Sequence, residues 1–185
     1  MTEVKSFIQH RGNYRSLRVY QIAECIFDIT YSFANSNFNK GDRTIDQMVQ
    51  AARSGKQNIA EGSAAGVTSS GTEIKLMNVA RASMQELLID YEDFLRVHDC
   101  EQWPIGSEKQ RQTSHYAHTH TDSACYREAI KTRTPETVAN IAITLIHQFD
   151  VLMVRLIDAS ARRFQQEGGF REQMTKARLD FRKKG

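Results

Sequence analysis

Three histidines in a short polar segment are the residues of this chain whose type and spacing best suit metal binding. His115, His118 and His120 lie close together in the sequence, and neutral imidazoles are good zinc or nickel ligands. No cysteine or carboxylate stands at a familiar ligand spacing around them. A di-metal centre inside a helical bundle would need Glu-x-x-His pairs on two helices, and neither pair is present. The sequence therefore predicts no cofactor, and metal binding by these histidines is the third functional hypothesis.

Motifs for nucleophilic catalysis and for phosphate binding in loops are also missing. Nothing around Ser54, Ser63 or Ser83 marks the strained turn between a strand and a helix on which a hydrolase serine sits. The glycines Gly62 and Gly66 follow a helical segment, whereas a phosphate-binding loop follows a strand and ends in Lys-Ser or Lys-Thr. We therefore predict that the protein is not an enzyme.

Basic side chains support the leading hypothesis, which is contact with nucleic-acid phosphates without base reading. The whole chain has a net charge of +3, and its last sixteen residues contain six basic and two acidic side chains. The aromatic side chains mostly fall on apolar stripes, so we expect them to be core rather than stacking platforms for bases. The candidate contacts are Arg15, Arg18, Arg53, Lys56, Arg162, Arg163, Arg182, Lys183 and Lys184.

Four amphipathic helices must position these residues. Apolar residues recur at steps of three and four over about 14–35, 44–61, 71–98 and 135–166, and no alternating strand pattern is present. Short turns join the first three helices, whereas residues 100–133 are polar and predict an irregular insertion with one short helix near 122–131. We predict an all-α protein: an antiparallel up-down-up-down four-helix bundle over residues 1–169, with a long connection before helix 4 and a basic C-terminal tail at 170–185.

Polar residues and glycines mark the expected helix ends. Asn13 is the predicted N-cap of the first helix, and Thr44 and Ser70 are each followed three residues later by Gln or Glu, as in a capping box. Thr134 precedes a proline, which suits the first turn of the fourth helix. Gly62 is expected to end the second helix.

Cysteine usage and hydropathy predict a cytoplasmic protein. The three cysteines show no C-x-x-C spacing, and their odd number leaves one thiol unpaired in any disulfide scheme. The first residues lack the apolar stretch of a signal peptide, and no run approaches the roughly eighteen apolar residues of a membrane span. We therefore expect no membrane association.

Residues 53–62, which read RSGKQNIAEG, resemble the four-helix bundle family of 23S rRNA intervening-sequence proteins. Residues 14–20 and 81–87 extend the likeness, which covers about half the chain; residues 100–133, the basic tail and the polar stretch 54–57 depart from the family pattern. The resemblance implies a bacterial protein that forms a ring-like homopentamer and has no enzymatic activity. A related group, the accessory variability determinant of diversity-generating retroelements, binds nucleic acid and a reverse transcriptase through a positively charged surface.

The resemblance also marks Asn58, Glu61 and Gly62 as signature positions. We interpret them physically as helix-end and packing residues: Asn58 can bond to a neighbouring helix, Glu61 can pair with an arginine, and Gly62 closes the turn. The leading hypothesis is then a non-enzymatic, oligomeric bundle that presents basic side chains to RNA, DNA or a nucleic-acid-processing protein. The second hypothesis is a protein–protein interaction scaffold that uses residues 100–133 and the tail.

Overall fold

The structure is a computed structural model that describes residues 13–184, and it describes the side chains of all of these except residues 167, 170, 171 and 184. This part of the chain is all-helical and contains no strand, which confirms the predicted all-α class. The helix count is higher than the predicted four. After a 3-10 turn at Tyr14–Ser16, the helices are α1 (Arg18–Asn37), α2 (Arg43–Ala65), α3 (Ser70–Val97), α4 (Glu108–Thr119), α5 (Ser123–Ile130), α6 (Pro135–Glu167) and α7 (Phe170–Lys184).

Four of these helices pack side by side along their lengths. α2 packs along α3, α3 packs along α6, and α1 packs along both α2 and α6. Neighbours α3 and α6 are antiparallel, since Glu73 near the start of α3 meets Arg163 near the end of α6, and Arg81 meets Asp150 further along. The core between the four helices is apolar, and its largest fully buried side chains include Ile22, Ile26, Met48, Ile59, Met84, Leu87, Tyr91, Leu145 and Phe149.

The predicted N-cap residue is correct at α6. At the other three predicted helices, a different residue stands in the N-cap position. Thr134 caps α6 by accepting a hydrogen bond from the Thr137 N–H at 3.3 Å. At α2 the cap is Asp42, whose carboxylate accepts from the Thr44 N–H at 2.8 Å, and at α3 it is Ser69. Both caps have extended backbones, so the residues predicted as caps are already helical.

The first helix also begins later than predicted. The Asn13 side chain makes no capping hydrogen bond, and a 3-10 turn separates this residue from the start of α1. The backbone of Leu17 is extended at the junction, so Leu17 stands in the N-cap position of α1 without a side-chain cap.

Gly62 lies inside α2 and does not end it. α2 continues to Ala65, and the Gly66 N–H closes the last turn on the Gly62 carbonyl at 2.9 Å. A Cβ atom at Gly62 would lie 3.3 Å from the Glu73 carbonyl oxygen and 3.4 Å from the Leu76 Cβ. This glycine therefore lets the backbones of α2 and α3 approach closely, which is a packing role rather than a turn role.

Residues 100–133 are largely helical, so the predicted irregular insertion is corrected. Ser107 caps α4 and Asp122 caps α5, the latter by accepting from the Ala124 N–H at 2.9 Å. α4 packs on α6, and α5 packs on α1. The Asn140 side chain holds the preceding segment, because it accepts from the Trp103 N–H at 2.7 Å and donates to the Glu101 carbonyl at 2.8 Å.

The basic tail is also helical. Gly168 ends α6 with a φ of +72°, a left-handed conformation that favours glycine, and α7 follows directly. The Gly169 N–H donates to the Glu172 carboxylate at 3.0 Å, which caps the start of α7. α7 packs along none of the other described helices.

One described helix meets the length and composition of a membrane span. It is α6, over Pro135–Gln166, and 61% of its most apolar window is buried inside the protein. A core helix passes the same test, and the burial matches the packing of α6 against α1, α3 and α4.

Candidate nucleic-acid surface

Two aromatic side chains of α1 lie beside its main core-facing side, and one of them, Phe27, also packs against the core. Phe27 and Tyr31 are one helical turn apart, with ring centroids separated by 6.3 Å and ring planes tilted by 31°. Tyr31 is 57% exposed and Phe27 is half-buried. Ile22, Ile26 and Ile29 take the core side of the same helix. The Tyr31 ring is therefore exposed, whereas the half-buried Phe27 packs against the core, so in this pair the expectation that aromatic side chains are core is wrong for Tyr31 only.

Basic side chains from two other helices flank this pair. The Lys56 ammonium of α2 lies 4.2 Å from the centroid of the Phe27 ring, within cation–π distance. Arg127 and Lys131 of α5 line a notch of about 330 Å³ together with Phe27 and Tyr31. We call these five residues the aromatic-basic surface.

Acidic neighbours hold two of the three cations in place. Arg127 donates to the Asp28 carboxylate at 2.5 Å and to the Ser123 hydroxyl at 3.0 Å. Lys131 pairs with Glu128 at 2.7 Å, one turn earlier on the same helix. A guanidinium has five N–H donors and an ammonium has three, so both side chains keep donors for a further acceptor.

Lys56 differs from these two cations because it forms no ion pair with the described residues. Arg53, three residues earlier on α2, is exposed and likewise unpaired within residues 13–184. Aromatic faces beside such cations match what single-stranded nucleic acids require, because bases stack on the rings and phosphates contact the positive groups.

Three of the predicted basic contacts have partners within the chain, although Arg15 and Arg163 remain exposed. Arg18 donates to the Ala117 carbonyl and so ties α1 to α4. Arg163 pairs with the buried Glu73 at 2.5 Å, and this contact joins α6 to α3. The Arg15 guanidinium lies 5.5 Å from the centroid of the Tyr14 ring beside the 3-10 turn.

The remaining basic candidates lie on the last two helices, outside the notch. Arg162 is exposed on α6, and Arg182 and Lys183 are exposed on α7. The side chain of Lys184 lies outside the described residues. The notch itself is lined by residues of α1 and α5.

Of the signature positions, Gly62 has the expected packing role, whereas Asn58 and Glu61 do not make the contacts expected of them within the described residues. The Asn58 amide donates to the Ser54 carbonyl at 2.9 Å, within α2, rather than to a neighbouring helix. Glu61 is exposed and forms no ion pair in the described part of the chain. Gly62 is a packing residue between α2 and α3, as shown above.

The three histidines lie at the end of α4. His120 stacks on the Tyr116 ring at a centroid distance of 3.8 Å, and its Nδ1 lies 2.8 Å from the Thr119 hydroxyl. Within residues 13–184 no group of three or more His, Cys, Asp or Glu side chains is arranged to hold a metal ion.

The buried thiol of Cys25 is poorly suited to nucleophilic chemistry. Burial, followed by the nearby Asp28 and Glu24 carboxylates, raises the pKa of Cys25 to about 12. Its Sγ lies 3.6 Å from the Thr121 carbonyl, which it contacts as a weak donor. The thiol therefore stays protonated at neutral pH and acts as a packing group between α1 and the segment before α5.

No family model, curated protein or solved structure matches this chain.

The aromatic-basic surface was only partly predictable. Lys56 is among the predicted contacts, whereas Tyr31, Arg127 and Lys131 are not. Phe27 and Tyr31 do fall outside the main apolar stripe of α1, and this displacement is the signal that marks them. The contribution of α5 has no such signal, because it depends on how the insertion folds against α1.

Proposed function

We propose that the protein is a non-enzymatic accessory factor that binds single-stranded nucleic acid through the aromatic-basic surface. The observation that carries this proposal is the exposed Tyr31 ring, paired with Phe27 and flanked by cations from two other helices. Bases would stack on Tyr31, and phosphates would lie against Lys56, Lys131 and Arg127.

The proposed scaffold for this surface is an antiparallel four-helix bundle made of α1, α2, α3 and α6. The pairwise packing of these helices supports it, since each of the four contacts two of the others along its length. The resemblance of residues 53–62 to 23S rRNA intervening-sequence proteins agrees with such a bundle. We further propose a bacterial, cytoplasmic homo-oligomer, with a pentamer as the expected size.

The direct test measures binding of a fluorescently labelled twelve-nucleotide single strand, as U12 and as dT12, by anisotropy. Because stacking of a base on an aromatic ring contributes about 1–3 kcal/mol, Tyr31→Ala should weaken binding on the order of tenfold or more. Tyr31→Phe keeps the ring and should bind like the unmodified protein. The matched control is Tyr116→Ala, because Tyr116 is also an exposed tyrosine, 38% accessible, but lies on α4.

Salt dependence tests the basic part of the surface. Neutralising one phosphate contributes a slope of about 0.7 in log affinity against log salt for single strands, so Lys56→Ala should lower the slope by about that amount. Unchanged affinity in Tyr31→Ala, or equal binding of a duplex and a single strand, would contradict the proposal. A preference between U12 and dT12 would tell which nucleic acid the surface favours.

A further inference from the structure

A second surface, between α2 and α3, has the opposite charge. It is a groove of about 700 Å³ whose lining includes three carboxylates, from Asp46, Glu86 and Asp90, and one cation, Arg43. None of the three carboxylates forms an ion pair with a described residue. We call Asp46, Glu86 and Asp90 the acidic groove.

The half-buried carboxylate of the acidic groove, Asp90, forms no ion pair with a described residue, although Arg43 also lines the groove. Burial raises the pKa of Asp90, and the neighbouring Asp93 and Glu86 carboxylates raise it further. An anion in this position is stabilised when a cation docks beside it. The groove is therefore suited to a cationic partner and not to a nucleic acid.

The C-terminal helix supplies a cationic face that no other described helix covers. Arg178 and Arg182 lie one turn apart on one side of α7 and form no ion pair within residues 13–184. Beside them run Met174 and Phe181, which are 49% and 74% exposed. The arginines are the part of α7 that suits the polar, acidic lining of the groove.

The spacing of the charges matches between the two surfaces. Glu86 and Asp90 are four residues apart on α3, as Arg178 and Arg182 are on α7, so each pair spans about 6 Å along its helix. Val79, two turns before Glu86 on the same side of α3, is 41% exposed and offers an apolar contact for the apolar side chains of α7. From this complementarity we propose that α7 of one copy docks in the acidic groove of a second copy, with Arg178 and Arg182 paired to Glu86 and Asp90.

The α7 helix of the same copy is too short to reach the acidic groove. Glu73 is level with Arg163 on α6, and at about 1.5 Å per residue Glu86 lies about 20 Å further along α3. If α7 folded back from Gly168, Arg182 would reach only about 10 Å past the level of Glu73. The groove also lies on the α2 side of α3, whereas α6 packs on its other side, next to Arg81.

The contact is head-to-tail, because α7 of one copy meets a different surface of the next. Such contacts build a ring when the rotation closes, and an open chain otherwise. The inference rests on the proposed homo-oligomer, whose contact it names, but not on the aromatic-basic surface, to which none of its residues belongs. A monomeric protein would contradict both the homo-oligomer and the contact, whereas association that survives both charge reversals would contradict the contact alone.

Charge reversal of each surface tests the inference, with molar mass measured by light scattering on nuclease-treated full-length protein. The unmodified protein should associate at low salt. Arg178→Glu/Arg182→Glu and Glu86→Arg/Asp90→Arg should each raise the dissociation constant on the order of 100-fold, because like charges then face each other. A mixture of the two variants, or one chain carrying all four changes, should regain association because opposite charges face each other again.

The matched control is Lys176→Glu/Lys183→Glu, which makes the same charge change on the other side of α7 and should leave association unchanged. Three results would overturn the inference. The first is an unmodified protein that stays monomeric at about 100 µM in low salt, a concentration at which even weak interfaces associate. The second is unchanged association in either reversed variant. The third is a loss of association that neither mixing nor the fourfold change restores.

Discussion

The two ends of α3 stabilise the protein in different ways. Near its start, the buried Glu73 carboxylate accepts from Arg163 at 2.5 Å and from the Ser160 hydroxyl at 3.2 Å, both on α6. Near its end, Tyr91 and Phe94 pack with Phe33 of α1, and the ring centroids of Phe33 and Phe94 are 4.7 Å apart. One end depends on a charge with its partners, whereas the other depends on apolar and aromatic packing.

The difference shows which kind of contact a substitution disturbs. An aromatic cluster loses stability with the volume that is removed, because a cavity remains. A buried ion pair loses stability when one partner is removed, because the other is left uncompensated. Asp90 extends the comparison, since it is an acid near the aromatic end of α3 and has no ion-pair partner among the described residues.

The largest effect is expected for Phe94→Ala at the aromatic end. Phe94 is 7% exposed and contacts Phe33, Phe38 and His98. Truncation of a buried phenylalanine typically lowers the free energy of unfolding by about 3–5 kcal/mol, and we expect the lower part of this range because Phe94 lies near a helix end. Urea unfolding measures the change. Ile105→Ala, at an 86% exposed position before α4, is the control and should change little.

Glu73→Gln should have the next largest effect, through the charged end. Hydrogen bonds to a charged group contribute about 1.5–3 kcal/mol, and the Arg163 side chain is 48% exposed, so water compensates part of the loss. We therefore expect a loss of about 2 kcal/mol in the free energy of unfolding. A double-mutant cycle with Arg163→Gln isolates the pair. Additive losses in that cycle would contradict the assigned coupling.

Tyr91→Phe should lower stability by about 1 kcal/mol, because the buried Thr30 hydroxyl loses its donor. The change should also alter the response to alkali. Burial raises the pKa of Tyr91 above that of an exposed tyrosine, which is about 10. The stability contributed by the protonated phenol is complete below pH 10 and declines as the pH rises above it, because only the unfolded chain ionises there. The free energy of unfolding of Tyr91→Phe should therefore fall less steeply between about pH 10 and 11 than that of the unmodified protein.

The long helices were predictable because each has a sustained apolar stripe. α3 and α6 match their predicted ranges within a residue or two, since each buries one side along many turns. α5 matches the short helix predicted near 122–131, whereas α4 was not predicted, because its sequence is mostly polar and Ala117 is its one buried residue. The sequence signal for these two helices is the polar N-cap of each, Ser107 and Asp122, rather than a hydrophobic pattern.

The contacts between helices were less predictable than the helices. Glu73 reads in the sequence as the second residue of a capping box, yet its carboxylate turns to α6 and meets Arg163, ninety positions later in the chain. Arg163 is among the predicted nucleic-acid contacts because it leads towards the basic tail, and it also forms this ion pair while its side chain stays 48% exposed. An arginine on a helix surface can contact a phosphate or pair with an acid of the same chain. The ion pair with Glu73 follows from the packing of α3 against α6, which the sequence pattern does not give.

The smallest effect, and one of opposite sign, is expected for Asp90→Asn. Because burial raises the pKa of Asp90, the ionised carboxylate weakens the folded state at neutral pH, and this penalty disappears as the pH falls through that raised pKa. Removing the charge should therefore stabilise the protein at pH 7 by about 0.5 kcal/mol or less, with no gain near pH 3.

Urea unfolding of Asp90→Asn at both pH values measures this difference, and Glu73→Gln under the same conditions is the comparison. The two substitutions each remove one negative charge from α3, but Glu73 has partners on α6 and Asp90 has no ion-pair partner in the described part of the chain. A stabilised Asp90→Asn that associates less than the unmodified protein would mean that Asp90 serves the contact between copies at the expense of folding. A destabilised Asp90→Asn would mean that this carboxylate supports the fold of the single chain, as Glu73 does.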